Sequence, residues 1–107
     1  DKDKKILYKL AKSKNLWEKR ITVISTLYFI SKGKLSDTFK ISKMLLGDKH
    51  DLIHKAVGWM LREAGKQDKI KLVKFLEENR LKMPRIMLRY AIEKFSPSER
   101  KRYLAQF

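Results

Sequence analysis

Apolar residues recur at intervals of three and four along nearly the whole chain, and polar or glycine-containing breaks divide that pattern into seven segments, each with helical period. The first covers roughly residues 3–12, with Ile6, Leu7, Leu10 and Ala11 at helical spacing. Asn15 is placed to cap a second helix running to about Lys32, which Gly33 stops by supplying left-handed backbone. Ser36 or Asp37 starts a short third helix, carrying Phe39, Ile41, Met44, Leu45 and Leu46 and ended by Gly47. A fourth is predicted from about Asp51 to Ala64, closed by Gly65, and a fifth begins at Asp68 with Ile70, Leu72, Val73, Phe75 and Leu76. Pro84, at a first-turn position, launches a sixth ending near Phe95. Ser96, Pro97, Ser98 and Glu99 spell a capping box for a seventh that continues through Tyr103. No strand alternation and no hairpin dipeptide occurs, so the expectation is an all-α fold.

The segments also repeat. Leu16, Trp17, Lys19 and Ile21 precede Leu52, Ile53, Lys55 and Val57 by 36 positions, and Ile53, Val57, Gly58 and Trp59 precede Ile86, Tyr90, Ala91 and Ile92 by 33. A period in the thirties with two helices per unit predicts a HEAT-like α-α superhelix, an alpha solenoid of antiparallel helix pairs, with repeats at roughly 15–47, 50–79 and 84–107. The matches are loose, and an irregular helical bundle is the competing architecture. In the solenoid, helices starting near residues 16, 51 and 84 form one layer and those starting near 36, 68 and 98 the other.

Composition sharpens the functional side. A chain of 107 residues suits one domain with a modest core. Hydrophobic residues make up 43% and charged residues 36%, the latter well above the usual quarter. Lysine and arginine number 27 against 12 acids, a net charge of +15 that attracts polyanions, nucleic acid first among them. The bland alternative is a solvated lysine coat, since lysines such as Lys2, Lys4, Lys5, Lys9, Lys12 and Lys14 are strung throughout. No apolar run approaches a membrane span and no secretory pattern opens the chain. With no cysteine there is no disulfide, thiol chemistry or cysteine-ligated zinc. An intracellular setting, cytoplasm or nucleus, is compatible with that. The chain opens at Asp1 without methionine and runs straight into a helical pattern, which suggests a piece of a longer polypeptide.

Arg20 is the first residue that could carry chemistry. Leu16, Trp17, Ile21, Ile24, Leu27 and Tyr28 form an apolar stripe, and a turn of about 100° per residue puts Arg20 inside it. A guanidinium there is either matched by a carboxylate, with Asp48, Asp51 and Glu63 as candidates, or reaches toward an anionic ligand. Trp59 lies at the margin of its helix's apolar arc, in line with Lys55 and Arg62. An indole edged by cations suits a sugar-phosphate backbone or a base face, although a partly buried tryptophan bridging two helices is the equally ordinary reading. Gly58 weakens a helix interior by roughly 0.5–1 kcal/mol, which points to something approaching the backbone closely. Arg85 and Arg89 repeat the basic theme; with Lys19, Arg20, Lys55 and Arg62 they could form a phosphate-gripping stripe across three helices, whose side the sequence does not fix. His50 and His54 make only a weak metal motif. No nucleophilic triad, phosphate loop or defensible carboxylate pair is visible, and no metal or cofactor is expected.

The stretch Asn15-Leu16-Trp17-Glu18-Lys19-Arg20 before an aliphatic helix, then Lys55-Ala56-Val57-Gly58-Trp59-Met60-Leu61-Arg62-Glu63, resembles the DNA alkylation repair family of HEAT-like DNA glycosylases. Met83-Pro84-Arg85, Leu88-Arg89-Tyr90-Ala91 and Glu93-Lys94 are similar to its closing repeat. The resemblance covers essentially the whole chain. It implies excision of N3- or N7-alkylated purines from duplex DNA, held to proceed without flipping the damaged base. It further implies a cleft lined by two tryptophans and an aspartate, with an arginine on the backbone nearby. Arg20 corresponds to that arginine and Trp59 to the second tryptophan. The aspartate and the first tryptophan would precede Asp1, and Trp17 reads as core. The expectation is thus a C-terminal part of a glycosylase, inactive alone, monomeric, with double-stranded DNA as partner and no obligate protein partner. The alternative is a non-catalytic nucleic-acid-binding or protein-interaction module.

Overall fold

The structure, a computed structural model, describes residues 2–105. Within them α1 covers Lys2–Ala11, α2 Leu16–Ser31, α3 Ser36–Met44, α4 Asp51–Gln67, α5 Lys69–Asn79, α6 Arg85–Ala91 and α7 Pro97–Leu104, with a 3-10 turn at Arg80–Lys82. No strand occurs among the described residues.

Local chemistry sets most boundaries. The Asn15 side chain accepts from the backbone N–H groups of Trp17 at 2.9 Å and Glu18 at 3.2 Å. Asp68 accepts from that of Lys71 at 3.1 Å, and Ser96 and Glu99 complete a reciprocal capping box. Each cap satisfies N–H groups that the first helical turn leaves unpaired. Gly33 ends α2 with φ of 76°, in the left-handed region. Two boundaries differ from expectation. Gly65 does not close α4, which continues to Gln67. A Cβ on Gly65 would stand 2.4 Å from Leu72 Cδ2, so this glycine serves the close packing of α5 rather than termination. Helix α6 stops at Ala91 and not near Phe95. There the N–H groups of Glu93 and Phe95 bond three residues back, to Tyr90 and Ile92, and this tightens the chain toward the Ser96 cap.

Helices α2, α4 and α6 lie side by side, with α4 packed extensively on both neighbours. Behind them α3 packs on α2 and α4, α5 on α4, and α7 on α6, while α1 rests on α2 and α3. The shortest dimension of the 41 × 29 × 19 Å molecule is that of two helices of about 10 Å each. The fold is therefore an all-α, solenoid-like stack of two layers, as the sequence period predicts. Its core centres on α4, where Ile53, Val57, Met60, Leu61 and Ala64 have no exposed surface.

Helix α2 is rotated from the expected orientation. Its packed residues are Lys19, Thr22, Val23, Thr26 and Ile30, whereas Trp17, Ile21 and Tyr28 are 59%, 59% and 63% exposed. The helix is apolar on more than one side, and the side with short β-branched residues is the one neighbouring helices can approach closely. Thr26 keeps its hydroxyl satisfied there by donating to the Val23 carbonyl at 2.7 Å. Trp17, expected in the core, is on the surface.

Two carboxylates link neighbouring elements, Asp48 to α2 and Asp37 to α1. Asp48, between α3 and α4, accepts from Lys19 Nζ, from the His50 N–H at 2.9 Å and from His50 Nδ1 at 3.0 Å. Asp37 accepts from the Tyr8 hydroxyl at 2.7 Å and pairs with Lys4 at 3.1 Å. Burial opposes ionisation of both, but the hydrogen bonds and cations outweigh it and hold each carboxyl below the usual range. Burial and then Asp37 push the Tyr8 phenol up to about 12. Because both carboxyls release protons at lower pH when folded, falling pH loads protons onto the unfolded chain first. Their stabilisation is complete above the unfolded carboxylate pKa of about 4 and is lost as acid protonates the folded groups. Thermal melts should show stability dropping steeply below about pH 4, and Asp48→Asn should flatten part of that drop; a wild-type Tm unchanged down to pH 2 would contradict this.

Candidate nucleic-acid interface

Leu52, Lys55, Trp59 and Arg62 recur at intervals of three and four, so they fall in one line on α4, away from buried Ile53, Val57 and Leu61. Helix α2 adds Arg20 on one side and α6 adds Tyr90 on the other. The three helices together enclose a cleft of about 260 Å³ lined by Arg20, Leu52, Lys55, Ala56, Trp59, Arg62 and Tyr90. Gly58 permits that closeness. A Cβ at position 58 would lie 2.6 Å from Tyr90 Cβ and 2.7 Å from the Met87 carbonyl oxygen.

Three cations line the cleft and no acid does. Arg62 is held from the turn that follows α6, with Nη1 2.5 Å from a Glu93 carboxylate oxygen, and its Nε lies 3.4 Å from Glu63. Arg20 and Lys55 pair with no carboxylate among the described residues. The acids that sequence offers to Arg20 are engaged elsewhere. Asp48 holds Lys19 and His50, Asp51 lies 3.7 Å from His54, and Glu63 holds Arg62 and, at 3.1 Å, Lys66. A half-buried guanidinium without an internal partner keeps its attraction for an anion entering the cleft.

The residues singled out by sequence are thus divided. Arg20, Lys55, Trp59 and Arg62 meet in the cleft. Arg89 lies in a neighbouring hollow with Glu93 and Arg100, connected to the cleft through the Arg62–Glu93 pair. Arg85 points to α7, donating to the Leu104 carbonyl at 3.2 Å. Lys19 turns inward, 9% exposed and paired with Asp48, because one step along a helix swings a side chain about 100° from the direction of Arg20. Leu52 and Tyr90 also line the cleft, which the sequence pattern alone does not reveal; the signal for Tyr90 is Gly58, whose missing side chain marks where α6 comes close. His50 and His54 are organised around Asp48, His54 with Nε2 2.5 Å from its carbonyl oxygen. Among the described residues no three His, Cys, Asp or Glu side chains are grouped to hold a metal, and no helix is long and apolar enough to cross a membrane.

A family described as DNA alkylation repair enzyme matches residues 1–95, a span that contains every residue lining the cleft. The chain belongs to that family. No curated protein matches it, and no solved structure does. Membership of the DNA alkylation repair family gives the chain a role in DNA repair, with DNA as what it acts on. Within this DNA alkylation repair fold, the cleft joins cations to an indole and a phenol ring. Those are the groups that hold phosphate oxygens by charge and the faces of sugars and bases by stacking.

Proposed function

We propose that the cleft is the duplex-gripping part of a DNA glycosylase that excises N3- and N7-alkylated purines. The observation that carries this reading is that Arg20 and Lys55, beside Trp59, pair with no carboxylate among the described residues, inside the region matched by the family. Arg20 and Lys55 hold backbone phosphates, which position the duplex without reading its sequence. Trp59 and Tyr90 present ring faces to the adjoining sugar and base. An alkylated purine carries positive charge, and an aromatic face attracts it more than a neutral base.

Departure of a cationic purine leaves positive charge on the sugar, which a nearby carboxylate stabilises. None of the residues lining this cleft is acidic. The reading therefore assigns the carboxylate to a helical pair ahead of Asp1, with residues 1–107 supplying three C-terminal HEAT-like repeats as a monomer and no cofactor involved. The exposed edge of α2, with Trp17, Ile21 and Tyr28, supports that assignment, since a further helical pair stacked there would cover it. The same lack of an acid favours a second reading, a non-catalytic DNA-binding module.

Release of 7-methylguanine from methylated duplex DNA, assayed beside duplex binding for the 107-residue chain and for a polypeptide extended upstream, separates the two. The glycosylase reading expects release by the extended polypeptide, binding alone by the shorter chain, and an Arg20→Ala loss of affinity of about three- to tenfold across sequences. Binding without release by the extended polypeptide would leave the non-catalytic reading. A lowered Tm with unchanged affinity per folded molecule would make Arg20 structural and end both.

A further inference from the structure

The outer layer carries a second concave feature, far from the cleft in construction because it is built by α3 and α5 and not by α2, α4 and α6. It is a groove of about 350 Å³ with Phe39 and Phe75 as its floor and Lys40, Lys43, Lys71 and Lys74 on its rims. The two rings meet at 5.5 Å between centroids and 35° between planes. All four lysines are exposed and none forms an ion pair among the described residues. Elsewhere Lys4, Lys19, Lys66 and Lys69 each pair with a carboxylate. On the groove the only acid is Glu78, and it pairs with none of the four. Each rim carries two lysines three residues apart, an arrangement that is repulsive within a helix.

We propose that this groove docks an acidic amphipathic segment of a protein partner, with an aliphatic or aromatic side chain seated over Phe39 and Phe75 and carboxylates against the four lysines. Charge complementarity names the partner's rim, and the apolar floor names its centre. A single-stranded nucleic acid fits less well. Phe75 is only 7% exposed and packs against Phe39, so its ring offers no free face on which a base would stack. The rims hold lysine alone, without the planar guanidinium fork that favours phosphate recognition. Because the groove and the cleft belong to different layers, a partner could be held while DNA is bound.

The probe is a fluorescein-labelled peptide of about sixteen residues with leucine at i, i+3, i+4 and i+7 and glutamate at most other positions, compared with a peptide of the same composition whose leucines are shuffled. Anisotropy titrations against the intact chain should show the striped peptide binding at least about tenfold more tightly than the shuffled one. The double variant Lys40→Glu/Lys74→Glu should weaken it by at least about tenfold. The cleft double variant Arg20→Ala/Lys55→Ala should instead weaken duplex DNA more than the peptide. If charge reversal prevents folding, Lys43→Gln/Lys71→Gln gives the same reading through a smaller loss. Equal binding of the two peptides, an unchanged affinity in the rim variants, or displacement of the peptide by an oligothymidylate at equal concentration would overturn the proposal.

Discussion

Lys19→Ala is expected to lower the free energy of unfolding by about 3–5 kcal/mol, because it leaves the carboxylate of Asp48 buried without its cation. The pair is enclosed, with side-chain exposures of 11% for Lys19 and 7% for Asp48, so solvent does little to screen the loss. Asp48 also accepts from the backbone and ring of His50, and its own carbonyl meets His54, so the whole link between α3 and α4 is affected. In a domain of this size the change corresponds to a fall in Tm of more than about 12 °C. Replacing both partners, as Lys19→Met/Asp48→Asn, removes the stranded charge and should recover part of the loss, since exchanging a buried pair is far milder than breaking it. A loss under about 1 kcal/mol for Lys19→Ala, as for an exposed pair, would show that the site is solvated. DNA affinity per folded molecule should be unchanged, because the Lys19 ammonium is turned away from the cleft.

Gly58→Ala should have a different signature. The added methyl would meet Tyr90 Cβ at 2.6 Å and the Met87 carbonyl at 2.7 Å. The second of these is backbone and cannot rotate away, so α6 must move off α4. Overpacking of this kind costs about 1–3 kcal/mol, added to by lost contact along the most extensive helix interface in the fold. The displacement carries Tyr90 and the Glu93 that holds Arg62, so duplex affinity should fall along with stability. Thermal melts and duplex titrations of the same sample check both halves. Lower stability with unaltered affinity would mean that Tyr90 contributes nothing to binding. Unaltered stability would mean that the α4–α6 contact is looser than these distances indicate.

Much of the fold was legible because its signals are local. The Asn15, Asp68 and Ser96 caps and the Gly33 terminator work through atoms within a few residues of one another. The layer order followed from a spacing that repeats. What sequence did not give was rotation about a helix axis. Helix α2 is apolar on two sides, so its period fits burial of Trp17, Ile21 and Tyr28 as well as burial of Val23 and Ile30, and the choice is made by α1, α3 and α4. The same rotation separates Lys19 from Arg20, adjacent in sequence and opposite in fate. Gly65 misled because a glycine near a helix end reads as a terminator, and only the position of Leu72 shows that it is there for packing. On α4 the cleft was readable, since Lys55, Trp59 and Arg62 share one line. Tyr90 was not, because its place depends on how near α6 comes to Gly58.

The role proposed for Arg20 and Lys55, which pair with no carboxylate among the described residues, is to hold the phosphates of duplex DNA. Its most direct test is the salt dependence of duplex affinity for the 107-residue chain and for Arg20→Ala/Lys55→Ala, with melts run in parallel. Each phosphate contact contributes about 0.9 to the slope of log affinity against log salt. The slope should be shallower by about 2 in the double variant, at unchanged Tm. A slope identical to wild type would contradict it.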